Sequence, residues 1–245
     1  MSTATVAPRR RTVRQYLPPQ HGAWAMLLVP YLAGLLAAGF RRPDLPLLGA
    51  WLSGYLLSYF VLQAIKSRRP RRYRSPLSWY APITAVLALP VVVACPRVLW
   101  YAPLFVGLLA VNAAYAHFRR ERALLNDLAS VVQSCLMVFV VGTVAGQPPS
   151  RMVTPFLIVL LYFTGTVLYV KTMIRERDSR AYRRASVGFH AAALVAGIFL
   201  NWFAVVVFAL LLARAALLPR HRLTPKQVGI VEIAASLLVL AATLA

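Results

Sequence analysis

The stretch Lys66-Ser67-Arg68-Arg69-Pro70-Arg71-Arg72-Tyr73-Arg74 lies between two apolar runs, one ending near Ile65 and the next beginning near Trp79. A charged side chain at the centre of a bilayer costs about 2.5–3.5 kcal/mol on insertion scales. This basic stretch therefore stays on the side of the membrane where the chain is synthesised, and it determines the direction of the two flanking runs. The rest of the chain repeats this alternation of long apolar runs and short basic loops.

The composition indicates an integral membrane protein. Of the 245 residues, 60% are hydrophobic, and the mean hydropathy is +0.67. The apolar runs are about 16–22 residues long, which is the length that a helix needs to cross a hydrocarbon core of about 30 Å. We therefore predict an all-α fold, a polytopic transmembrane helical bundle of about nine spans, in which residues 1–20 form a basic tail and residues 21–245 a single transmembrane domain. The predicted spans are 22–40, 45–65, 79–95, 98–117, 124–145, 153–172, 185–200, 203–218 and 228–245.

One apolar stretch is too long for a single span. Residues 187–218 would form an implausibly long helix, but Asn201 and Trp202 interrupt them with a turn-forming residue and an interfacial aromatic. We therefore predict two antiparallel spans that meet at Asn201.

The basic residues determine the orientation. The chain carries 27 Lys and Arg against 6 Asp and Glu, for a formal net charge of +21. Of those 27, the tail and the loops after spans two, four, six and eight hold 23 when Lys171 and Arg214, near the ends of spans six and eight, are included, and the alternate loops hold 4. The positive-inside rule then predicts a cytoplasmic N-terminus. The same placement argues against nucleic-acid binding, because the basic residues lie in short loops between spans and not on a basic face with interleaved aromatics.

The cysteines and histidines do not predict a metal or haem site. Cys95 and Cys135 form no CxxC motif and have no partner histidine nearby. The four histidines all lie near the predicted cytoplasmic boundary, and no pair is spaced along one helix to hold a haem. We expect no cofactor.

Polar residues gather at the predicted cytoplasmic ends of the spans, where they must find partners or water. Lysine is rare, and all three lysines lie at these ends. We hypothesise that they converge on one anionic ligand; the alternative is that they are ordinary snorkelling anchors. The polar set comprises His21, Gln63, Lys66, Asn112, Tyr115, His117, Asn126, Asp127, Lys171, Arg175, His190, Lys226, Gln227 and Glu232.

Glu232 is the only acidic residue well inside an apolar run. A partner such as Lys226, His21 or an arginine of the loop 172–184 is expected, because an unpaired carboxylate would be costly there. Two roles remain open for it, a structural ion pair or proton and ligand handling. Two roles also remain open for Asn126 and Asp127, because residues of these types often cap a helix.

The run Pro19-Gln20-His21-Gly22-Ala23-Trp24-Ala25-Met26 resembles the opening signature of the YwiC-like family of bacterial integral membrane proteins. Members of the same family have segments that are similar to the basic loops at 66–74 and 171–184 and to the late run Gly229-Ile230-Val231-Glu232. The resemblance implies a multi-pass protein of the bacterial plasma (inner) membrane and no particular reaction.

A more distant likeness is architectural. Nine helices with long cytoplasmic loops after spans two and six are similar to UbiA-type intramembrane prenyltransferases, which bind an isoprenoid diphosphate through Mg²⁺ on Asp-rich motifs. Here the loop 66–74 has no acidic residue and the loop 172–184 has only Glu176 and Asp178. Because hard cations need oxygen ligands, the sequence does not predict a Mg²⁺ site.

These features predict a cytoplasm-facing polar cavity that binds an anionic lipid, such as an isoprenoid phosphate. Whether such a protein modifies that lipid, as a diverged UbiA-like transferase, or only binds it stays open. The head group would contact Arg68, Arg71, Lys171, Arg175 and Lys226, with Gln63, Lys66, Asn112, Asn126 and Asp127 as further ligand-binding candidates. His21 and Glu232 are the catalytic, proton-transfer candidates, and Trp24 would border the tail.

Two other functions are compatible with the sequence. A small-anion transporter or exporter would suit Glu232 and a weak repeat of the loop 66–74 at 175–183. An accessory subunit of a membrane complex would need no ligand of its own.

Overall fold

The computed structural model describes residues 16, 18, 22–221 and 223–244, and in that part of the chain it contains ten α-helices and no strand. Two of them, α5 and α6, are consecutive segments of one rod, Leu124–Val144, interrupted at Leu136. The prediction of an all-α transmembrane bundle is confirmed, and each of the nine predicted spans overlaps one rod. The helices are α1 (Gly22–Ala38), α2 (Asp44–Ser67), α3 (Arg74–Ala94), α4 (Ala102–His117), α5 (Leu124–Cys135), α6 (Met137–Val144), α7 (Pro149–Ile174), α8 (Arg180–Ile198), α9 (Trp202–Leu217) and α10 (Pro225–Ala242).

Five continuous helical segments are long and apolar enough to cross a membrane, and α1 and α9 are shorter apolar helices. Two of the five include a short 3-10 helix, Pro70–Tyr73 before α3 and Pro96–Tyr101 before α4. The five are Asp44–Ser67, Pro70–Ala94, Pro96–His117, Leu124–Val144 and Pro149–Ile174. Within the described residues every spanning segment is helical, as expected where lipid offers no partner for backbone N–H and C=O groups.

The central helix is α7, which packs against α1, α5, α6, α8, α9 and α10. Its core-facing side chains include Ile158, Val159 and Tyr162, each at most 1% exposed. On one side of this centre α2 packs against α3 and α4, and on the other α8 packs against α9. The close approach of α1 to α6 depends on Gly34, where an added Cβ would lie 2.9 Å from Val141 Cβ.

The turn predicted at Asn201 is confirmed. Helix α8 ends at Ile198 and α9 begins at Trp202. The Asn201 side chain caps α9, because its Oδ1 accepts a hydrogen bond from the Ala204 backbone N–H at 2.7 Å. Its Nδ2 also donates to the Ala242 carbonyl at 3.0 Å, which joins the end of α10 to the same turn.

The loops rich in arginine meet at one end of the bundle, which we call the basic end. Lys66, at the end of α2, pairs with Glu121 in the loop between α4 and α5. Arg177, in the loop between α7 and α8, donates to the Leu223 carbonyl in the loop before α10 at 3.4 Å. Tyr16 reaches this end too, since its hydroxyl lies 3.1 Å from Ser75 Oγ. Contacts at this end therefore join loops that lie far apart in sequence.

Candidate functional site

A cavity of about 810 Å³ opens at the basic end among α1, α2, α4, α5 and the end of α7. It is within the range of about 300–1,000 Å³ that small-molecule sites typically occupy. The lining residues are Ala23, Met26, Leu27, Trp51, Gly54, Tyr55, Ser58, Tyr59, Leu62, Gln63, Lys66, Phe105, Val106, Leu109, Asn112, Ala116, Glu121, Arg122, Asn126, Asp127, Ser130, Gln133, Ser134, Val167 and Arg175.

The polarity of the lining changes with depth. At the inner end Trp51 and Phe105 pack edge to face, with ring centroids 6.0 Å apart, and the Trp51 indole donates to the Leu27 carbonyl at 3.0 Å. Fifteen residues of α2 separate Trp51 from Lys66, which at 1.5 Å per residue corresponds to about 22 Å. The cavity therefore extends from an apolar floor, Trp51 and Phe105, to a charged mouth.

Amides and hydroxyls line the middle of the cavity. Asn112 Nδ2 donates to Gln133 Oε1 at 3.3 Å, and Ser130 Oγ donates to Asn112 Oδ1 at 3.5 Å. Two buried atoms here, Tyr55 Oη and Asn126 Oδ1, have no hydrogen-bond partner within the described chain. A bound polar group would find both donors and acceptors at this depth.

Two ion pairs tie helices together at the mouth. Lys66 Nζ lies 2.7 Å from Glu121 Oε1, and Lys171 Nζ lies 2.8 Å from Asp127 Oδ2. Lys171 also donates to the Arg122 carbonyl at 2.8 Å, so α7 is fastened to the start of α5. Burial raises the pKa of Glu121, but the hydrogen bond and charge of Lys66 outweigh this effect, so its pKa is lowered. Both acidic residues of the mouth are thus neutralised by lysines.

Two arginines of the mouth remain. Arg122 and Arg175 line the cavity, both are exposed, and neither side chain makes an ion pair with another described residue. The charges that the mouth can offer to a ligand therefore come mainly from two guanidinium groups. Sequence reasoning selected Arg175 and missed Arg122, which lies in a short loop where the positive-inside rule already accounts for an arginine.

Of the residues predicted for a site, six line this cavity, namely Gln63, Lys66, Asn112, Asn126, Asp127 and Arg175. Lys171 adjoins it through Asp127. Trp24 does not line the cavity but packs edge to face on Tyr55, which does, with ring centroids 6.3 Å apart. The structure thus brings eight of the predicted residues to one place.

The other predicted residues lie elsewhere. Arg68 and Arg71 are exposed in the loop after α2, and Lys226 is exposed in the first turn of α10. None of them lines the cavity, so the three lysines do not converge as hypothesised. His21 lies outside the described residues.

Asn126 and Asp127 do not cap α5. The residue before the helix is Ala123, which makes no side-chain cap. Asn126 instead donates to the Glu121 carbonyl at 2.8 Å, which holds the loop that carries Glu121 and Arg122. Asp127 pairs with Lys171, so tertiary contacts and not the helix N-terminus use both side chains.

Glu232 lies in a second polar cluster, among α7, α8, α9 and α10. Its partner is Arg214 of α9, with Arg214 Nη1 donating to Glu232 Oε1. The prediction that Glu232 has a basic partner is confirmed, but the partner is neither Lys226 nor an arginine of the loop between α7 and α8, and His21 lies outside the described residues. Arg214 had a sequence signal, because it interrupts the apolar run 205–218, but it was counted with the basic loop that follows.

Three further side chains complete this second cluster. Glu232 Oε2 accepts from Thr166 Oγ1 at 3.0 Å and from the Tyr162 hydroxyl at 3.2 Å. The guanidinium carbon of Arg214 lies 4.2 Å from the centroid of the Tyr169 ring. The two clusters are distinct, because neither Arg214 nor Glu232 lines the cavity.

Neither site has the donors of a metal centre. Within the described ranges no group of three or more His, Cys, Asp or Glu side chains could hold a metal ion. Cys95 and Cys135 are free thiols.

Comparisons with known proteins identify relatives. The model of the YwiC-like protein family matches residues 17–142. The chain is 34% identical to the uncharacterized protein YwiC of Bacillus subtilis over 183 residues, which cover 73% of this chain and 75% of that protein. It is 31% identical to an uncharacterized protein of Haemophilus influenzae over 236 residues, which cover 92% of this chain and 97% of the relative.

The search of solved structures found no match. The likeness to UbiA-type prenyltransferases is therefore without support. By contrast, the family match covers about half of the chain and includes α1, α2, α4 and α5, which form most of the cavity wall. The signature at residues 19–26, the helical membrane bundle and the two relatives agree, and the chain belongs to the YwiC-like protein family.

Proposed function

We propose that the cavity binds an anionic amphiphile, with a phosphorylated head group at the mouth and an apolar tail towards the floor. The observation that carries the proposal is the change in the lining over about 22 Å of α2, from Trp51 and Phe105 to a mouth with two arginines that form no ion pair with a described residue. Such a ligand has the same polarity gradient along its own length.

The charges of the mouth favour an anion. Lys66 and Glu121 neutralise each other, as do Lys171 and Asp127. Arg122 and Arg175 are left, and a guanidinium binds phosphate oxygens through two parallel N–H bonds. A cationic head group would instead meet two uncompensated positive charges.

The apolar part of the cavity suits a hydrocarbon chain. Each CH₂ group moved from water to an apolar wall contributes about 0.8 kcal/mol. A ligand that already resides in the bilayer gains less from this burial, so its head-group contacts would supply most of its selectivity. The amides of Asn112 and Gln133 lie between the two regions and can bind a linking ester or hydroxyl.

We place the protein in the bacterial inner membrane with the basic end in the cytoplasm. The support is the distribution of Lys and Arg, 23 of which occur in the tail, in the loops after spans two, four, six and eight, or near the ends of the spans that lead into those loops, against 4 in the alternate loops. The mouth would then receive its ligand from the cytoplasmic leaflet, whose anionic lipids are attracted to basic surfaces.

The proposed activity is binding and does not include a reaction. Glu232, a predicted catalytic residue, is held by Arg214 away from the cavity. The acidic side chains at the mouth, Glu121 and Asp127, are engaged by lysines. No residue of the cavity is thus assigned a proton-transfer role.

Native mass spectrometry of the detergent-purified protein tests the proposal. The wild type is compared with Arg122→Ala/Arg175→Ala and with a matched control, Arg68→Ala/Arg71→Ala, which removes the same charge from exposed positions at the same end. We expect a discrete phosphorus-containing lipid adduct on the wild type and the control, reduced at least about tenfold on the cavity variant. A featureless bulk-lipid profile, or equal loss of the adduct from both variants, would refute the proposal.

A further inference from the structure

Four residues on one face of α7 contact polar side chains from the three helices that follow it. Tyr162, Gly165, Thr166 and Tyr169 are spaced i, i+3, i+4 and i+7, so they share that face. Tyr162 and Thr166 contact Glu232 of α10, and Tyr169 contacts Arg214 of α9. Gly165 faces His190 of α8, since an added Cβ would lie 2.9 Å from His190 Nε2.

Both carboxylate oxygens of Glu232 accept hydrogen bonds. Arg214 donates to Oε1, and Thr166 and Tyr162 donate to Oε2. Tyr162 is itself positioned by Ser236, whose Oγ lies 2.9 Å from the Tyr162 hydroxyl. A carboxylate held in this way acts as a fixed counter-charge, and it determines how the Arg214 guanidinium is oriented.

Arg214 is only partly used by this contact. Its side chain is 6% exposed, and while Nη1 binds Glu232, Nε and Nη2 have no hydrogen-bond partner among the described residues. Nε and Nη2 form the lateral edge of the guanidinium, where two parallel N–H groups can bind two oxygens of one oxyanion. The ring of Tyr169 supports the guanidinium from its face.

Three further polar atoms, on α7 beside Arg214 and on α8 beside Gly165, are also buried and unpartnered within the described chain. They are His190 Nε2, Tyr169 Oη and Ser186 Oγ, on residues that are 3%, 0% and 1% exposed. His190 Nδ1 lies 2.7 Å from the Ser186 carbonyl, which can only accept, so Nδ1 carries the proton and Nε2 of the neutral ring is an acceptor. The cluster thus combines two guanidinium N–H donors, two hydroxyls and one ring acceptor.

Buried polar atoms normally find a partner, and several unpartnered atoms in one cluster indicate a polar guest. We propose that α7, α8 and α9 form a binding site for a small oxyanion, separate from the cavity. Two oxygens accept from Arg214 Nε and Nη2, and the hydroxyls of Tyr169 and Ser186 donate to the anion. An anion that retains an O–H group, such as bicarbonate or dihydrogen phosphate, also donates to His190 Nε2.

A shallow groove lies close to this cluster. It is lined by Arg183, Arg184 and Val187 of α8 and by Ala216 of α9. Val187 follows Ser186, and Ala216 is two residues from Arg214, so the groove lies within one helical turn of both along their helices. Its two arginines raise the local concentration of anions at this end of α8. The oxyanion site does not depend on the function proposed for the cavity.

Calorimetric titration of the protein in phosphatidylcholine nanodiscs tests the site, with bicarbonate, inorganic phosphate and acetate as separate probes. Arg214→Lys keeps the charge but removes the two-pronged donor, and Arg151→Lys is the matched control on an exposed arginine. We expect saturable binding of bicarbonate or phosphate that Arg214→Lys weakens at least about tenfold and Arg151→Lys leaves unchanged.

A second variant tests the site independently if Arg214→Lys does not fold. Tyr169→Phe removes one hydroxyl and keeps the ring, and we expect it to weaken binding by about three- to tenfold. Absence of saturable binding of all three probes up to about 10 mM would overturn the proposal and leave water as the occupant. Equal affinity of the wild type and Tyr169→Phe, or equal affinity of the wild type and a folded Arg214→Lys, would overturn it as well.

Discussion

Replacing Glu232 by glutamine should destabilise the protein far more than the same change at Glu121. Each glutamate pairs with one basic side chain, Arg214 in the first case and Lys66 in the second. Glutamine keeps the size of the side chain and one acceptor oxygen but removes the negative charge. The two substitutions are therefore matched in chemistry and differ in environment.

The size of the destabilisation depends on how deeply each ion pair is buried. The side chains of Arg214 and Glu232 are 6% and 15% exposed, whereas those of Lys66 and Glu121 are 43% and 30% exposed. Breaking a buried pair from one side costs about 3–5 kcal/mol, because the remaining charge is left without a partner. An exposed pair contributes about 0–1 kcal/mol, because water replaces the lost partner. At about 2–4 °C per kcal/mol for a chain of this size, Glu232→Gln should lower the melting temperature by about 6–20 °C.

Thermal unfolding in a mild detergent, followed by a thiol-reactive dye on the buried Cys135, measures both variants under one condition. The double variant Arg214→Leu/Glu232→Leu removes both charges, and we expect it to be more stable than either single leucine variant because no unpaired charge remains. The reasoning is refuted if Glu232→Gln melts within about 2 °C of Glu121→Gln, or if the double variant is the least stable of the set.

Two further predictions concern the mouth and the core. The pKa of Glu121 is lowered from 4.5 beside Lys66, so their pair stabilises the protein fully above about pH 4.5, and this contribution is lost as the pH falls through the lower pKa of the folded state. The difference in melting temperature between the wild type and Glu121→Gln should therefore shrink as the pH is lowered below 4.5, and a difference independent of pH would contradict this. Gly142→Ala should cost about 1–3 kcal/mol, because the new Cβ would overlap Met152 Cγ in the core. The control Gly107→Ala, with no atom within 4 Å of its Cβ, should be neutral or more stable by up to about 1 kcal/mol, and equal melting of the two alanine variants would contradict the packing argument.

The helices could be predicted, with their ends placed to within five residues, because their determinants are local in sequence. A span must be about 20 residues long to cross the hydrocarbon core, and its backbone must satisfy its own hydrogen bonds. The turn at Asn201 follows from an amide side chain that can cap a helix, and the structure shows that cap on Ala204. These constraints need no knowledge of which helices are neighbours.

The cavity could be predicted only in part. Gln63, Lys66 and Asn112 were selected because they lie at one end of their spans, and that end is where the cavity opens. The same criterion selected Lys226, which is exposed on α10, a helix that packs mainly against α1, α7 and α9. Position along a span gives depth in the membrane, but it does not say which face of the helix a side chain occupies relative to its neighbours.

The ion pairs also separate what the sequence determines from what the tertiary structure determines. That Glu232 needs a basic partner follows from the cost of an isolated charge among apolar side chains, so the sequence alone determined that such a partner exists. That the partner is Arg214, and that Lys66 and Lys171 are bound to Glu121 and Asp127, was decided by tertiary structure. Helices in a membrane associate through side-chain packing and hydrogen bonds between distant parts of the chain, and no local pattern encodes which of them meet.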